Sequence, residues 1–464
     1  MIFRDWLKEL DYTLLQGSVD VETEDVIYDS RKAAPGKVFV AMKGIRVDGH
    51  SFIPQVLKAG VRVLVTERPV EEELKNSGLS EDELKQVTVV MVEEGRHALA
   101  LLSAARFDHP AKKLVMIGVT GTKGKTTTTH MIRAILLAAG KKVGMIGTTG
   151  TVIGYVVTPT LNTTPESYEL HQAFAQMVEA GCEYAVMEVS SQGIKMHRTD
   201  GLYFNYAIFT NISPDHIGPG EHADFEEYLY YKTRLLNMCG IGLVNKDDEH
   251  APQIIKAANC ELYTYSEESK EADFVASDIR YVSQPDFVGT EFHISGKYDM
   301  EVRLGIPGLF NVVNALAAVS VCSFLGLDQA RISHALENIR VNGRMEIVYT
   351  SERCTVLVDY AHNAVSMESL LSTLRDYKPK RLVCVFGCGG NRSKDRRYSM
   401  GEIGGKMADL SIITADNSRY EKVEDIIADI RGSIEKTGGK FIEIPDRKEA
   451  ITYSITHAEP GDMI

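Results

Sequence analysis

The segment GVTGTKGKTTTTH, residues 118–130, decides the fold. It continues the uncharged run LVMIGVT (114–120) and opens into THMIRAILLAAG (129–140), which has helical periodicity and a glycine stop. A strand, a Gly/Thr-rich turn and a helix in that order turn backbone N–H groups and a helix N-terminus toward one concave site, which suits a polyphosphate. The pattern predicts ATP phosphates on Gly121, Thr122, Lys123, Gly124, Lys125, Thr126 and Thr127. Lys125 reaches the β- and γ-phosphates, and the Thr126 hydroxyl ligates Mg2+. The loop departs from the common GxxxxGK[ST] form, because the position five before Gly124 is Val119 and the nearest glycine, Gly118, lies one residue too early. The bland alternative is a Gly/Thr-rich strand-to-helix turn with no ligand.

Outward from this loop, strand-like and helix-like runs alternate: VGMIG (143–147), YELHQAFAQMVEAG (168–181), YAVMEVS (184–190) and YAIFTNIS (206–213). Such alternation predicts a mostly parallel sheet with helices on both faces. Upstream, VFVAM (38–42), VRVLV (61–65) and VTVVMV (87–92) are β-branched runs of strand length, with an acidic solvated segment at 71–85 and a Pro-containing break at 108–113. Downstream of Asn342 the βαβ rhythm returns with VLVDYA (356–361), a helix at 364–376, RLVCVFG (381–387), a helix near 399–408 and LSIITAD (410–416). The fold class is therefore α/β in three domains, bounded at 1–108, 109–340 and 341–464: an N-terminal mixed α/β domain, a central P-loop domain with a mostly parallel sheet, and a C-terminal doubly wound α/β domain.

Composition narrows the function. The 464 residues hold 51 Lys plus Arg against 64 Asp plus Glu, a net charge of −13, which argues against a nucleic-acid binder held by bulk charge. The basic run 391–397 has no interleaved aromatic and reads as a small-anion site. Seven scattered cysteines form no CxxC pair, which points to a reducing cytoplasm rather than a disulfide framework or a cysteine zinc site. The start, MIFRDWLKELDY, carries acids early and has no apolar h-region, so it does not read as a signal peptide. Leu304 to Leu327 is uncharged, but Pro307, Gly308, Asn311 and Asn314 make it a loop followed by a buried helix of about four turns rather than a membrane span. No membrane and no obligatory protein partner is expected. The final PGDMI (460–464) reads as a turn entering a strand that stops short, so the chain is expected to be incomplete.

The loop GTKGKTTT resembles that of the Mur ligases and folylpolyglutamate synthetases, which make amide bonds with ATP. Further segments narrow the resemblance to the Mur ligases, and among them to the type that adds the third peptide residue. They are DSRKAAPGKVFVAMKG (29–44), NTTPE (162–166), MEVSSQG (187–193), FTNISPDHIG (209–218), YLYYK (228–232), GLFNVVNALAA (308–318), NGRME (342–346), VDYAH (358–362), FGCGGNRSK (386–394) and ADNSR (415–419). The resemblance implies a uridine-nucleotide domain, an ATPase domain and an amino-acid domain, in that order. The substrates it implies are ATP with Mg2+, UDP-N-acetylmuramoyl-L-Ala-D-Glu and a free amino acid.

It also implies roles, residue by residue. Glu188, His216 and Lys232 become metal ligands beside Lys125 and Thr126, with Lys232 carboxylated by CO2 so that a cation becomes an anion. On spacing alone Lys232 is a surface lysine and His216 a structural loop histidine; the 16-residue gap between them holds the insert GPGEH (218–222). Asn311, Arg344 and Asp359 become ATP contacts, and an N-cap is the plain reading of Asn311. Ser30, Asn162, Thr163, Thr164, Ser190 and Arg198 become contacts for the uridine nucleotide and its peptide, with Gln192 and Met196 as departures from many relatives. Arg397, Asp416, Asn417, Ser418 and Arg419 become the readers of the incoming amino acid. Relatives that use meso-diaminopimelate carry Asp-Asn-Pro-Arg, whose arginine pairs with the second carboxylate. This chain keeps Arg419 with Ser418 in place of Pro, which favours meso-diaminopimelate over L-lysine. A different ligase substrate and a nucleotide-binding paralogue without catalysis remain the competing readings.

Overall fold

The computed structural model describes residues 1–44, 47–284 and 286–464. They form two compact units, Met1–Tyr265 and Ser266–Ile464.

The first unit opens with a sheet of β1 (Thr13–Gln16), β2 (Asp25–Ile27), β3 (Lys37–Ala41), β4 (Val63–Thr66) and β5 (Thr88–Met91), in the order β1-β5-β4-β3-β2. All neighbours are parallel except β1 and β5. The β-branched runs at 38–42, 61–65 and 87–92 are the three inner strands. Alternate side chains go to opposite faces. Val38, Val40, Val63, Val65 and Val90 pack with Ala98, Leu99 and Leu102 of the helix Gly95–Arg106. Phe39, Ala41, Leu64 and Val89 pack with Ile53, Val56 and Leu57 on the other face. Burial on both faces explains why these strands are apolar throughout. The acidic segment 71–85 holds two short helices, Glu71–Lys75 and Glu81–Leu84. At the break after 107, Asp108 and His109 take left-handed backbone angles before the 3-10 turn Pro110–Lys113.

The unit continues with β6 (Val115–Thr120), β7 (Val143–Gly147), β8 (Gly150–Ile153), β9 (Val156–Thr158), β10 (Tyr184–Glu188), β11 (Phe204–Phe209), β12 (Cys239–Asn245) and β13 (Glu261–Ser266). Their order is β13-β12-β11-β6-β10-β7-β8-β9, parallel from β13 to β7 and antiparallel through the β7-β8-β9 edge. Met116, Ile146, Phe174, Met177, Phe204 and Phe209 belong to one buried cluster against it. The helix Ser167–Glu179 joins the two sheets of the unit. Asp25 on β2 accepts from the Tyr168 hydroxyl at 3.1 Å and Arg106 Nε at 3.1 Å, and the Tyr28 hydroxyl donates to Glu169 at 3.0 Å.

The second unit contains an antiparallel ribbon of β14 (Phe274–Gln284), β15 (Phe287–Gly296) and β16 (Met300–Leu304). The segment 109–340, read as one domain, thus contributes to both units. The uncharged stretch after Leu304 gives the buried helix Leu309–Phe324, and no described helix is long and apolar enough to cross a membrane. The rest is a six-stranded sheet of β17 (Glu346–Thr350), β18 (Cys354–Val358), β19 (Arg381–Phe386), β20 (Leu410–Ile413), β21 (Phe441–Glu443) and β22 (Asp462–Met463). Its order is β17-β18-β22-β19-β20-β21, with only the β17–β18 pair antiparallel. The turn-and-strand reading of 460–464 corresponds to β22, which lies between β18 and β19 with the Asp462 carboxylate on Arg381 Nη2 at 2.6 Å.

Candidate active site

The phosphate loop leaves β6 at Thr120 and enters the helix Lys125–Ala138. Gly121 has φ 141°, and a Cβ there would overlap the Thr210 hydroxyl, so both backbone and space demand glycine. Gly124 caps the helix with φ 86°. The loop is pinned by the residues after the neighbouring strand β11. Thr122 N donates to Asn211 O at 2.8 Å, Lys123 N to Asn211 Oδ1 at 2.9 Å, and the Thr210 hydroxyl to Lys123 O at 2.7 Å. Lys125 Nζ donates to Gly121 O at 2.8 Å and Thr122 O at 3.1 Å.

Glu188 ends β10, one strand over from β6, and is 1% exposed. Its carboxylate accepts from the Thr126 hydroxyl at 3.0 and 3.1 Å and from Thr148 N at 2.9 Å and Thr148 Oγ1 at 3.2 Å. A carboxylate and a threonine hydroxyl meeting beside a phosphate loop are hard oxygen donors, a set that fits Mg2+. A side chain at Gly147 would overlap Glu188 Oε1, so the approach of β7 depends on the missing Cβ.

Lys232 lies in the helix Phe225–Thr233 and is 2% exposed, not at the surface as spacing alone suggested. Its Nζ donates to Gly121 O at 2.7 Å and lies 4.6 Å from the centre of the Tyr228 ring. Burial, with repulsion from Lys125 added, holds its pKa well below that of an ordinary lysine. The Tyr228 hydroxyl bonds Thr122 Oγ1 at 3.1 Å, and burial pushes its pKa up to about 12. The His216 side chain is 52% exposed, with its ring 6.1 Å from Tyr228 and its Nδ1 3.0 Å from Glu221. Among the described residues, neither His216 nor Lys232 hydrogen-bonds Glu188. Thr126 and Glu188 form one group, and Lys125 and Lys232 meet at the Gly121 carbonyl. Tyr228 connects Lys232, His216 and the loop. The sequence reading quoted Tyr228, Thr148, Thr210 or Asn211 only inside or beside motifs and missed their positioning contacts, since each depends on a partner far along the chain.

The residues assigned to the uridine nucleotide divide into two sets. Thr164 is buried. Its hydroxyl donates to Glu188 O at 3.0 Å and accepts from Ser190 N at 2.9 Å, while its carbonyl accepts from Arg198 Nη1 at 3.0 Å. Ser190 caps the short helix Ser191–Lys195, and Thr163 Oγ1 meets Thr148 Oγ1 at 3.1 Å. Arg198 also pairs with Glu166 at 2.6 Å. Asn162 is exposed, and Ser30 begins a 3-10 turn beside the first sheet; neither bonds this group among the described residues.

Beside Arg198 lies a side-chain clasp. Asp200 Oδ2 meets His97 Nδ1 at 2.6 Å and His197 Nδ1 at 2.8 Å, joining the helix Gly95–Arg106 to the turn after β10. Burial works to raise the Asp200 carboxyl, but hydrogen bonds from His197 and His97 outweigh it and hold the group well below the usual carboxylate range. The bond to Asp200 raises His197 above its ordinary 6.5. The stabilisation from His197 is therefore fully present below about pH 6.5 and is lost as pH rises through the raised folded value. Its magnitude is at most about 1 kcal/mol, since both rings are partly solvated. The thermal midpoint of the Asp200→Asn variant is expected to fall below the parent by more at about pH 6 than at about pH 8.5. An equal gap at both values would show that the clasp carries no such charge pair.

In the second unit, Asn311 sits in the first turn of the helix Leu309–Phe324, and Gly308 is the cap, which corrects the N-cap reading. Asn311 is buried, with its Nδ2 on Pro307 O at 2.6 Å. Arg344 places its guanidinium 4.8 Å from the Tyr360 ring centre, and Asp359 accepts from Met345 N at 2.9 Å and Ala361 N at 2.8 Å. These two candidates thus share one strand end.

Arg397 does not stand free to read an amino acid. It is 1% exposed, with Nη2 on Glu421 at 2.7 and 2.8 Å and Nη1 on Asp429 at 2.9 Å. Both Nη groups are engaged in holding the segment after β20, which corrects its role from contact to support, while its Nε is buried with no hydrogen-bond partner among the described residues. Asp416, Asn417 and Arg419 are exposed, and Ser418 is half-buried. Asn417 O accepts from Gly390 N at 2.8 Å, and Tyr420 N donates to Asn391 Oδ1 at 3.2 Å, which sets the 416–420 loop against the GCGGN turn. Arg419 has a left-handed φ of 50°. Arg392, directly after that turn and part of the basic run read as a small-anion site, is an exposed cation with no ion pair among the described residues.

Known families match along this geometry. The description "Mur ligase family, catalytic domain" matches residues 23–107, "Mur ligase middle domain" residues 119–322, and "Mur ligase, glutamate ligase domain" residues 343–464. A UDP-N-acetylmuramoyl-L-alanyl-D-glutamate--2,6-diaminopimelate ligase of Caldanaerobacter subterraneus is 38% identical, over 99% of this chain and 92% of its own. The Clostridium perfringens protein of the same name is 37% identical, over 100% of this chain and 93% of its own. A solved structure bearing that ligase name is similar with TM-score 0.73 and 28% identity, over 95% of this chain and 88% of its own. The MurF ligase of Thermotoga maritima in complex with ADP shares the fold, with TM-score 0.61 and 19% identity over 95% of this chain and 93% of its own. With its phosphate loop, its buried Glu188 and these full-length matches, the chain belongs to the Mur ligase family.

Proposed function

We propose that this chain is a cytoplasmic ATP-dependent amide ligase that joins meso-diaminopimelate to UDP-N-acetylmuramoyl-L-Ala-D-Glu in peptidoglycan precursor synthesis. The observation that carries this reading is the buried group Thr126–Glu188 beside Lys125 and Lys232 on the phosphate loop. The names of the full-length relatives support the choice of substrates. Residues 1–108 serve the uridine nucleotide, 109–340 the ATP chemistry and 341–464 the amino acid.

A carboxylate is a poor electrophile, so it must be activated. An oxygen of the substrate's glutamate carboxylate attacks the γ-phosphorus of ATP, the bond to the β-phosphate oxygen breaks, and ADP leaves. The amine of the incoming amino acid then attacks the acyl carbon, phosphate departs, and the amine loses a proton. Both steps gather negative charge, so fixed cations and donors dominate catalysis. Lys125 supplies charge to the phosphates, with Gly121, Thr122, Lys123, Gly124 and Thr127 lining the loop. Thr126, Glu188, His216 and carboxylated Lys232 would hold Mg2+, which neutralises phosphate charge when bound. Asn311, Arg344 and Asp359 serve ATP. Ser30, Asn162, Thr163, Thr164, Ser190 and Arg198 serve the nucleotide and peptide, and Asp416, Asn417, Ser418 and Arg419 the amino acid.

The neutral form of the Lys232 amine, which burial favours, attacks CO2, forming an N–C bond and releasing a proton. Labelled 13C-bicarbonate is therefore expected to give a carbamate carbon resonance in the parent and none in Lys232→Arg. The resonance should fade as pH falls and the amine becomes protonated. A parent without it would remove carboxylation from this reading.

The function itself is tested by ADP release and product mass with UDP-N-acetylmuramoyl-L-Ala-D-Glu, Mg-ATP and one amino acid at a time. A tripeptide product with meso-diaminopimelate alone is expected. Product with L-lysine instead would overturn the specificity, and no product with any amino acid would overturn the ligase.

A further inference from the structure

The insert GPGEH ends in His222, a fully buried imidazole that none of the assigned roles uses. Its backbone closes the loop that carries His216: His222 N donates to His216 O at 3.1 Å, and Gly218 N donates to His222 O at 3.0 Å. Its Nε2 lies 2.9 Å from the hydroxyl of Ser191, the residue next to Ser190. Its ring packs 5.2 Å from Tyr228 and 5.8 Å from Tyr231. Tyr228 in turn bonds Thr122 of the phosphate loop and faces Lys232. Glu227, 3.6 Å from His222 Nδ1, takes Ala223 N at 2.6 Å and Lys195 Nζ at 2.9 Å, which closes the far side of the same turn. One residue thus ties three pieces of the candidate site: its backbone closes the His216 loop, and its ring packs on the Tyr228–Lys232 helix and bonds the turn after Ser190.

We propose that His222 is a positioning residue that sets His216 and, through Tyr228, Lys232 for binding the divalent cation that accompanies ATP. The proposal rests on the active-site reading above. A leucine would fill the same buried space and keep the backbone bonds to the His216 loop, but it could neither bond Ser191 nor set a ring against Tyr228 and Tyr231, so the loop would lose its side-chain tie to the rest of the site. A residue that orients metal ligands without touching the metal affects metal affinity by about 10- to 100-fold when replaced.

The test is Mn2+ binding followed by electron paramagnetic resonance, with a non-hydrolysable ATP analogue, in the parent, His222→Leu, His222→Gln and Ser191→Ala. His222→Leu is expected to weaken Mn2+ binding about 10- to 100-fold while analogue binding without metal is unchanged. His222→Gln, whose amide can reach Ser191, is expected to recover most of the loss. Ser191→Ala should fall between the two. Mn2+ affinity equal to the parent in His222→Leu would overturn the role of His222 alone, as would an equal loss of metal-free analogue binding. Should His222→Leu not fold, unchanged Mn2+ affinity in Ser191→Ala would overturn it. A parent that binds no Mn2+ with the analogue would overturn the active-site reading itself, and this role with it.

Discussion

Lys125→Met is expected to slow ADP release by about 10²- to 10³-fold at saturating substrates, the size of effect seen when one preorganised charge or donor is removed from a developing anion. The aliphatic stem of methionine retains most of the packing of the lysine side chain. The loop keeps its other anchors on Thr210 and Asn211, so the thermal midpoint should stay within a few degrees of the parent. Steady-state ADP release and a thermal melt on the same preparation separate the two effects. A variant that keeps half the parental rate would show that the Gly121–Lys125 loop is not where phosphoryl transfer occurs. A variant that loses both rate and fold would leave Lys125 as a structural tie to the Gly121 and Thr122 carbonyls.

Arg419→Leu should lower kcat/KM for meso-diaminopimelate by about 30-fold or more, since truncating one partner of a charge pair that the bound amino acid covers from water costs about 2 kcal/mol or more. Stability should barely change, because Arg419 is exposed. Arg397→Leu makes the opposite prediction. It would remove the guanidinium that Glu421 and Asp429 share and lower the thermal midpoint, by less than for a wholly buried pair because both carboxylates keep some water and Asp429 keeps Lys394. Measuring kcat/KM and the thermal midpoint for both variants distinguishes a reader from a support. Equal specificity loss with equal destabilisation in the two would return Arg397 to the reading site.

Much of the architecture was legible because it rests on local pattern. The β-branched runs of the first sheet, the glycine-bounded strand β7, the helix at 364–376 and the strand–loop–helix around Gly124 all follow from side-chain periodicity and backbone restriction. The ribbon β14–β16 was not anticipated, because its alternating, half-polar strands carry weak signals and its pairing is antiparallel between residues that only tertiary folding aligns. The strand β22 is two residues long and takes its place from pairing with β18 and β19 rather than from propensity.

The candidate site divides in the same way. Lys125 and Thr126 follow from the loop's own sequence, because a phosphate loop is a continuous segment whose chemistry and geometry are encoded together. Residue type could not reveal that Lys232 is buried against Tyr228, that Arg397 pairs with Glu421 and Asp429, or that His222 reaches Ser191. A lysine, arginine or histidine has the same sequence signature whether it meets water, a carboxylate or an aromatic face. Its environment, and hence its charge and its freedom to bind, is set by groups tens of residues away that only the folded chain brings within a few ångströms. The sequence by itself determined the α/β class, the phosphate loop and the family resemblance, all carried by contiguous motifs. The tertiary structure alone decided which charged side chains are free to act and which are already held, because that depends on desolvation and on partners remote in the chain.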